Sequence, residues 1–318
     1  MRAKIIGRML SLDPRRLSLE RRGFVADDPE IQRRLEAVVY AFATGYNAAM
    51  AAAPGELDAR TVSAVPPDLR GFAFEGAAMS TGLRDQLMMR RGRDLQKLAA
   101  GPGAQYVHLI HVGAGWAYAR LRRRPEPNAR FARPVLRWLT WDGWGFHQAF
   151  FRPDAVFERH AIEPAATGAV RPIRDQGVGR ALWFYAGADP KRILDAVNGF
   201  PITRRPDLWA GIGLAACYTG AQSGPRLDAL LDAAEGYHDH LAQGAAFAAK
   251  AHILTGNVPR RSAAAVTALT GAPPATAAGW TDGSLARAGY LPDTPETYEE
   301  WRAGIRHAWE PHKDGVTT

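Results

Sequence analysis

The sequence predicts an all-α protein of about seven helical-hairpin repeats of roughly 33 residues, stacked as an α-solenoid or closed into an α/α toroid. Three observations predict it. A motif of a glycine followed at two and four positions by further small residues recurs at intervals of about 30 to 37 residues. The segments between its copies carry helix start and stop signals. The patterns of other folds are absent, and the one that does occur is a member of the repeat.

In chain order the motif reads TGYNAAM from Thr44, EGAAMS from Glu75, VGAGWAYA from Val112, DGWGFHQA from Asp142, QGVGRALW from Gln176, AGIGLAAC from Ala210 and QGAAFAAK from Gln243. Positions i and i+4 share one face of a helix, so each copy presents a stripe of small side chains. A mid-helix glycine costs about 1 kcal/mol against alanine, and close approach of a neighbouring backbone is the natural compensation. VHLIHVGAGWAYARL, residues 107–121, resembles at first sight the strand, glycine turn and helix of a dinucleotide site. A fingerprint of that kind occurs once, whereas this one is the third of seven copies, so a nicotinamide oxidoreductase is a distant third reading and VHLIHV is expected to open a helix.

The connecting segments complete the hairpins. ADPKRILDAVNGFP has an Asp189 cap, Pro190 at the first helical position and a Gly199 stop. RPDLWAGIGLAACYTG opens near Pro206 and closes at Gly220, and LDALLDAAEGYHDHLAQGAAFAAKAHILTG is helical with a break near Gly236. The whole chain, 1–318, is expected to be one repeat domain. Residues 1–30 form an Arg-rich N-terminal segment, and residues 257–318 hold degenerate repeats, with GWTDGSLARAG and WRAGIRHAWE as worn copies.

Composition bounds the function. With 47% hydrophobic and 23% charged residues the chain of 318 residues is a folded protein with a substantial core. No stretch reaches the length of a membrane span, and the N-terminus lacks a signal-peptide apolar block, so a cytoplasmic protein is expected. The single cysteine, Cys217, excludes a disulfide framework or thiolate metal site and reads as a packed, inert thiol. The net charge of +8 is densest in RLRRRPEPNARFARP, residues 120–134. That run is a solvated loop or a docking patch for an acidic partner such as a carrier protein or a phosphate-bearing substrate. Without interleaved aromatics beyond Phe131 it does not read as a nucleic-acid surface.

The residue before each first glycine flanks the stripe. Thr44, Glu75, Val112, Asp142, Gln176, Ala210 and Gln243 share that position, and Glu75, Asp142 and Gln176 are the most suggestive of a common groove, with helix-to-helix hydrogen bonding as the plain alternative. In LRWLTWDGWGFHQAFF, His147 replaces the small residue found elsewhere, amid Trp138, Trp141, Trp144, Phe146, Phe150 and Phe151. That surrounding lowers a histidine pKa and raises a carboxylate's. Asp142 and His147 lie about 140° apart on a helix and cannot pair. His108 and His111 share a face at a spacing compatible with two metal ligands but lack a third, so no metal site is assigned. His238 and His240 are expected at the surface. No P-loop, G-x-S-x-G, H-E-x-x-H, paired C-x-x-C or aspartate-rich terpene-synthase motif is present, and the cofactor, if one is used, is unknown from the sequence.

RGFAFEGAAM, HVGAGWAYARL, LRWLTWDGWGFHQAFF, DQGVGRALWF and RRPDLWAGIGLAACYTG resemble, in this order, the UnbL-like family of uncharacterised proteins associated with enediyne polyketide gene clusters. The resemblance runs from about Arg21 to Gly220 and is expected to extend over the whole chain. It implies a hydrophobic biosynthetic intermediate of the polyene kind and supplies no catalytic residues. The expected function is an enzyme of secondary-metabolite biosynthesis that holds a linear polyene or isoprenoid chain in a helical cavity and rearranges or cyclises it. Asp142, His147, Glu75 and Asp175 are the acid–base candidates. Gln176, Arg180 and Gln148 would orient the substrate, and Trp144, Trp183 and Trp116 would shape its pocket. The alternative is a non-catalytic helical scaffold that docks a carrier protein or pathway enzyme. An enclosed aromatic cavity favours the first, and an open groove with filled helix interfaces the second.

Overall fold

The computed structural model describes residues 11–53, 56–126, 129–222 and 224–316. Among the described residues there is no strand. The helices are α1 (Pro29–Ala51), α2 (Ala59–Ser63), α3 (Arg70–Leu87), α4 (Arg93–Ala100), α5 (Val107–Arg120), α6 (Leu139–Phe151), α7 (Val170–Tyr185), α8 (Pro190–Gly199), α9 (Arg205–Thr219), α10 (Pro225–Ala233), α11 (His238–Leu254), α12 (Arg260–Thr270), α13 (Pro274–Ala288) and α14 (Pro295–Trp309). None is long and apolar enough to cross a membrane.

Local chemistry sets the boundaries. The Asp28 carboxylate accepts from the backbone N–H groups of Glu30 and Ile31 ahead of Pro29, and Asp189 accepts from that of Arg192 ahead of Pro190. Each satisfies amides that the first turn leaves unpaired. Helix α9 stops at Gly220 with φ +57°, and Gly236 with φ +80° separates α10 from α11. VHLIHV is the first part of α5, as expected.

The glycine-bearing helices α1, α3, α5, α6, α7, α9 and α11 pack directly on one another in chain order, and the glycines are the reason they can. A Cβ added to Gly143 would lie 1.9 Å from the Val112 carbonyl oxygen, one on Gly177 1.8 Å from that of Asp142, and one on Gly211 1.9 Å from that of Gln176. Gly113 meets the Glu75 carbonyl and Gly244 that of Ala210 in the same way. The first glycine of each of these helices therefore rests on the residue just before the first glycine of the preceding one. The second glycine serves the next interface: Gly115 faces the Thr140 carbonyl, Gly145 that of Arg174, Gly179 that of Leu208 and Gly213 that of Leu241. No residue with a side chain fits at such a contact, which also favours weak Cα–H···O bonds.

Neighbouring helices run in the same direction. Arg34 pairs with Asp68 where α1 and α3 begin, and Arg84 donates to the Ala52 carbonyl where they end. Each neighbour is rotated, and over several helices the rotation reverses the direction. The start of α1 thus meets the end of α9, where Arg34 Nε donates to the Thr219 carbonyl at 2.6 Å. Phe72, at the start of α3, packs against Tyr218 at the end of α9, with ring centroids 4.9 Å apart. The array curls on itself and encloses an interior.

Short helices α2, α4, α8, α10 and α12 connect the long ones. Two connections depart from the expected hairpin. Between α5 and α6 the described residues hold a 3-10 turn (Leu136–Trp138), and between α6 and α7 a π turn (Asp154–Glu158), with no α-helix in either. The first is the Pro-rich basic run, whose composition opposes helix formation. At the C-terminus α14 runs antiparallel to α11, with Arg306 near Asp239, Arg302 on Gln243 and Tyr298 against Phe247. Gly279 and Gly283 in α13 meet no neighbouring backbone, and Gly304 meets the Ser284 side chain. GWTDGSLARAG and WRAGIRHAWE are helical, yet they do not repeat the glycine contact. Of the Arg-rich N-terminal segment, residues 1–10 lie outside the described residues. Residues 11–28 form a strap with two 3-10 turns that buries Leu17, Leu19 and Phe24 over the helix ends.

Candidate functional site

From α3 to α9 the carbonyl of the residue before the first glycine receives the next helix's glycine. In four of the helices the side chain at that position turns to the enclosed interior. Glu75 on α3, Asp142 on α6, Gln176 on α7 and Gln243 on α11 all arrive there and are fully or almost fully buried. Arg180, one turn after Gln176, sits between the carboxylates. Its Nη1 donates to Asp142 Oδ1 at 2.5 Å and its Nη2 to Glu75 Oε1 at 3.4 Å. Trp116 Nε1 also donates to Glu75 Oε1, at 3.0 Å, and Gln176 Nε2 donates to Asp142 Oδ2 at 2.8 Å. The network continues through Gln243, whose Nε2 donates to Gln176 Oε1, to Arg302, which binds Gln243 Oε1 and Asp207. Gln176 also donates to the Tyr298 hydroxyl at 3.3 Å.

One guanidinium serves two carboxylates. Burial opposes the charge of Arg180, but Asp142 and Glu75 outweigh it and hold its pKa above the ordinary value. Asp142 has the shorter ionic contact and the amide of Gln176. Glu75 has the longer contact; burial raises its pKa, Arg180 pulls it back, and Asp142 pushes it up again. With Glu75 protonated the buried cluster is neutral, and with Glu75 ionised it holds an uncompensated negative charge in a low-dielectric interior. Burial therefore favours the protonated form of Glu75.

Arg180 separates two cavities. The first, of about 40 Å³, is walled by Leu17, Phe42, Phe72, Trp116, Phe146 and Phe184, with Glu75 and Arg180 as its polar groups. Trp116 lies against Phe42 and Phe146 with centroids 4.6 and 4.8 Å apart, and the Arg180 guanidinium stands 5.0 Å from the Phe146 centroid. The second, also about 40 Å³, lies beside Asp142, Arg180, Tyr218, His108 and Lys250 among apolar residues including Trp301. Each is large enough for a few waters and an order of magnitude below an ordinary ligand pocket. The strap closes the first cavity through Leu17, and Leu12 holds the strap down by exchanging backbone hydrogen bonds with the Asn47 amide at 2.9 and 2.8 Å.

Of the residues singled out in the sequence, Glu75, Asp142, Gln176, Arg180 and Trp116 meet at this centre. Asp175 does not: Arg204 grips both its oxygens at 2.7 Å and Arg174 adds a third contact at 2.9 Å, tying α7 to the start of α9. Trp183 is buried between the same helices, with Nε1 donating to Thr219 Oγ1 at 3.2 Å. Trp144 packs on Trp141, and neither it, Trp183 nor Gln148 is in the wall of either cavity. Gln148 is buried on the same side of α6 as Trp144, the side turned away from Asp142, Phe146 and Phe150. His147 is buried beside Trp116 and Phe151 with neither ring nitrogen hydrogen-bonded, and burial, helped by Arg120, Arg152 and Arg22, lowers its pKa to about 3. A neutral imidazole outside both cavities is poorly placed for proton transfer there.

The remaining candidates disperse. Thr44 donates to the Tyr40 carbonyl beside an outer groove. His111 binds the Val107 carbonyl and the Arg133 N–H, whereas His108 lines the second cavity, so the two do not converge as ligands. No cluster of three or more metal-ligating side chains is found among the described residues. His238 is half-buried on the Leu231 carbonyl, and half-buried His240 has its pKa lowered by burial to about 2, which corrects their expected surface placement. Tyr298 and Arg302 were not singled out. Their signal was a tyrosine and an arginine at i and i+4 within the apolar stripe of WRAGIRHAWE and the residues before it.

Among known proteins, neither the curated sequences nor the solved structures include a match to this chain. A family model described as "Protein of unknown function (DUF1702)" matches residues 2–309, nearly the whole array from strap to α14. The chain belongs to the DUF1702 family.

Proposed function

We propose that the protein is a biosynthetic enzyme that takes a linear polyene or isoprenoid chain against the aromatic wall of the first cavity and isomerises or cyclises it by proton transfer from Glu75. The observation that carries this reading is a buried carboxyl group, its pKa raised by burial, that faces a cavity of aromatic rings beside Arg180 and Asp142. Glu75 adds its proton to one carbon of a double bond, the resulting cation rests against the faces of Trp116 and Phe146, and the Glu75 carboxylate removes a proton from another carbon. The product has the mass of the substrate and the enzyme regains its proton. Asp142 and Gln176 fix Arg180, which stabilises the carboxylate while it is ionised. The resemblance to UnbL-like proteins supplies the polyene as substrate class. The cavity must enlarge to admit such a chain, and the strap is the element placed to release it.

The small volume of both cavities favours a second reading, a scaffold whose interior is filled and whose outer surface docks a carrier protein or pathway enzyme. One experiment separates them. The purified protein is incubated in D2O with linear polyprenyl diphosphates and with extracts of a polyene-producing strain, followed by tryptophan quenching and mass spectrometry. The enzyme reading expects ligand retention and deuterium incorporation, with Glu75→Gln retaining ligand and losing incorporation. A protein that shows neither retention nor exchange favours the scaffold.

A further inference from the structure

The turn after α3 and the turn after α5 lie side by side. LMMRRGR leaves α3 with Leu87, Met88 and Met89 exposed at 53%, 46% and 84%. Isolated exposed apolar residues are ordinary, but three in succession at one turn are not. Met89 and Arg91 have φ +54°, as does Arg122 in the neighbouring turn, so both turns are tight. Arg123 Nη1 donates to the Gln86 carbonyl at 3.3 Å and the Arg130 N–H to that of Arg91 at 3.0 Å, which joins them. Arg91, Arg93, Arg120, Arg122, Arg123 and Arg130 are all exposed here. Within residues 87–93 and 120–133 the one acidic residue is Glu126.

We propose that this rim is a docking surface for an anionic lipid bilayer, with Met88 and Met89 inserted at the headgroup boundary and the arginines on lipid phosphates. The charge selects an anionic partner, and the shape selects lipid over an acidic protein. A tip with an 84% exposed methionine is convex and enters a deformable surface, whereas a protein partner would need a groove to receive it. The inference rests on the surface alone and stands whether or not Glu75 transfers a proton.

The test is flotation of the full chain with vesicles of phosphatidylcholine alone or with about one third phosphatidylglycerol, at low and high salt. Asparagine tolerates positive φ, so Arg91→Asn, Arg122→Asn and the pair Met88→Ser with Met89→Asn remove the contacts without straining the turns. Circular dichroism confirms their folding. The expected result is salt-sensitive binding to the anionic vesicles only, lowered about fivefold by each arginine substitution and about tenfold or more by the methionine pair. No binding to anionic vesicles overturns the proposal, as does a methionine-pair variant that binds like the wild type. Polyglutamate that binds while the vesicles do not overturns it in favour of an acidic polypeptide.

Discussion

Gly177→Ala tests the physical basis of the fold. The added methyl would sit 1.8 Å from the Asp142 carbonyl oxygen, with the Phe146 N–H side of the same turn also within 2.9 Å. Both obstacles are backbone, so no rotamer relieves them, and α6 must retreat from α7 by about 1 Å. A gap of that size forfeits up to about half of the dispersion energy of the facing atoms. Overpacking of this kind costs about 1–3 kcal/mol and occasionally more, and here it also disturbs the carbonyl's own residue, Asp142, which holds Arg180. The opposing gain in helix propensity is about 1 kcal/mol. The loss is set at about 2 kcal/mol or more, which for a chain of this length is a fall of about 3 °C in Tm. Gly279→Ala is the matched control: it lies within α13, is exposed, and its Cβ would meet nothing within 4 Å. It collects the propensity gain alone and raises Tm by about 1 °C. Thermal unfolding followed by far-UV circular dichroism reads both. A Gly177→Ala protein as stable as the wild type would refute the claim that backbone contact selects these glycines.

His147→Phe removes two unsatisfied ring nitrogens from an aromatic surrounding and is expected to stabilise the protein by about 1 kcal/mol at neutral pH. It also alters the pH profile. The folded-state pKa of about 3 lies below the ordinary 6.5, so the unfolded chain binds the proton first and stability falls as pH drops from 6.5 towards 3. Denaturation midpoints across that window should show a slope shallower by about one proton in the variant. Asp175→Asn should cost about 3–5 kcal/mol by leaving Arg204 and Arg174 buried without their shared carboxylate. Substrate conversion per folded molecule should be unchanged, and a loss of turnover in fully folded Asp175→Asn protein would return this residue to the site.

The fold was legible because its glycines are repeated at a cost that only close packing offsets. The period identified the packing helices, and Asp189, Pro190, Gly199, Gly220 and Gly236 marked their limits. The connections were less legible. Partner helices were expected between the stripes, with the Pro-rich run at 120–134 read as a loop; that run is followed only by a 3-10 turn, and the segment between α6 and α7 holds only a π turn. Neither carries the glycine contact, so nothing in the repeat constrains it. GWTDGSLARAG failed for the converse reason: Gly279 and Gly283 imitate the spacing, but their helix faces no backbone closely. Spacing records a helix face, and only the neighbour decides whether that face is a contact.

At the centre the residue before each first glycine is constrained in its backbone and free in its side chain. From α3 to α9 its carbonyl receives the next helix's glycine, and any residue type can supply a carbonyl. The side chain can therefore be Val112 or Ala210 where the interior is apolar and Glu75, Asp142, Gln176 or Gln243 where it is polar. That freedom made the position readable from an alignment of the copies with one another. It did not reveal which copies meet, because Arg180 reaches Glu75 over 105 residues and Gln176 reaches Tyr298 over 122. Those contacts depend on how far the array turns with each helix, a quantity the spacing of glycines leaves open. Asp175 and Trp183 lie outside this centre for a local reason: each is one position from a residue that faces the interior, and about 100° of helix rotation carries each out of it.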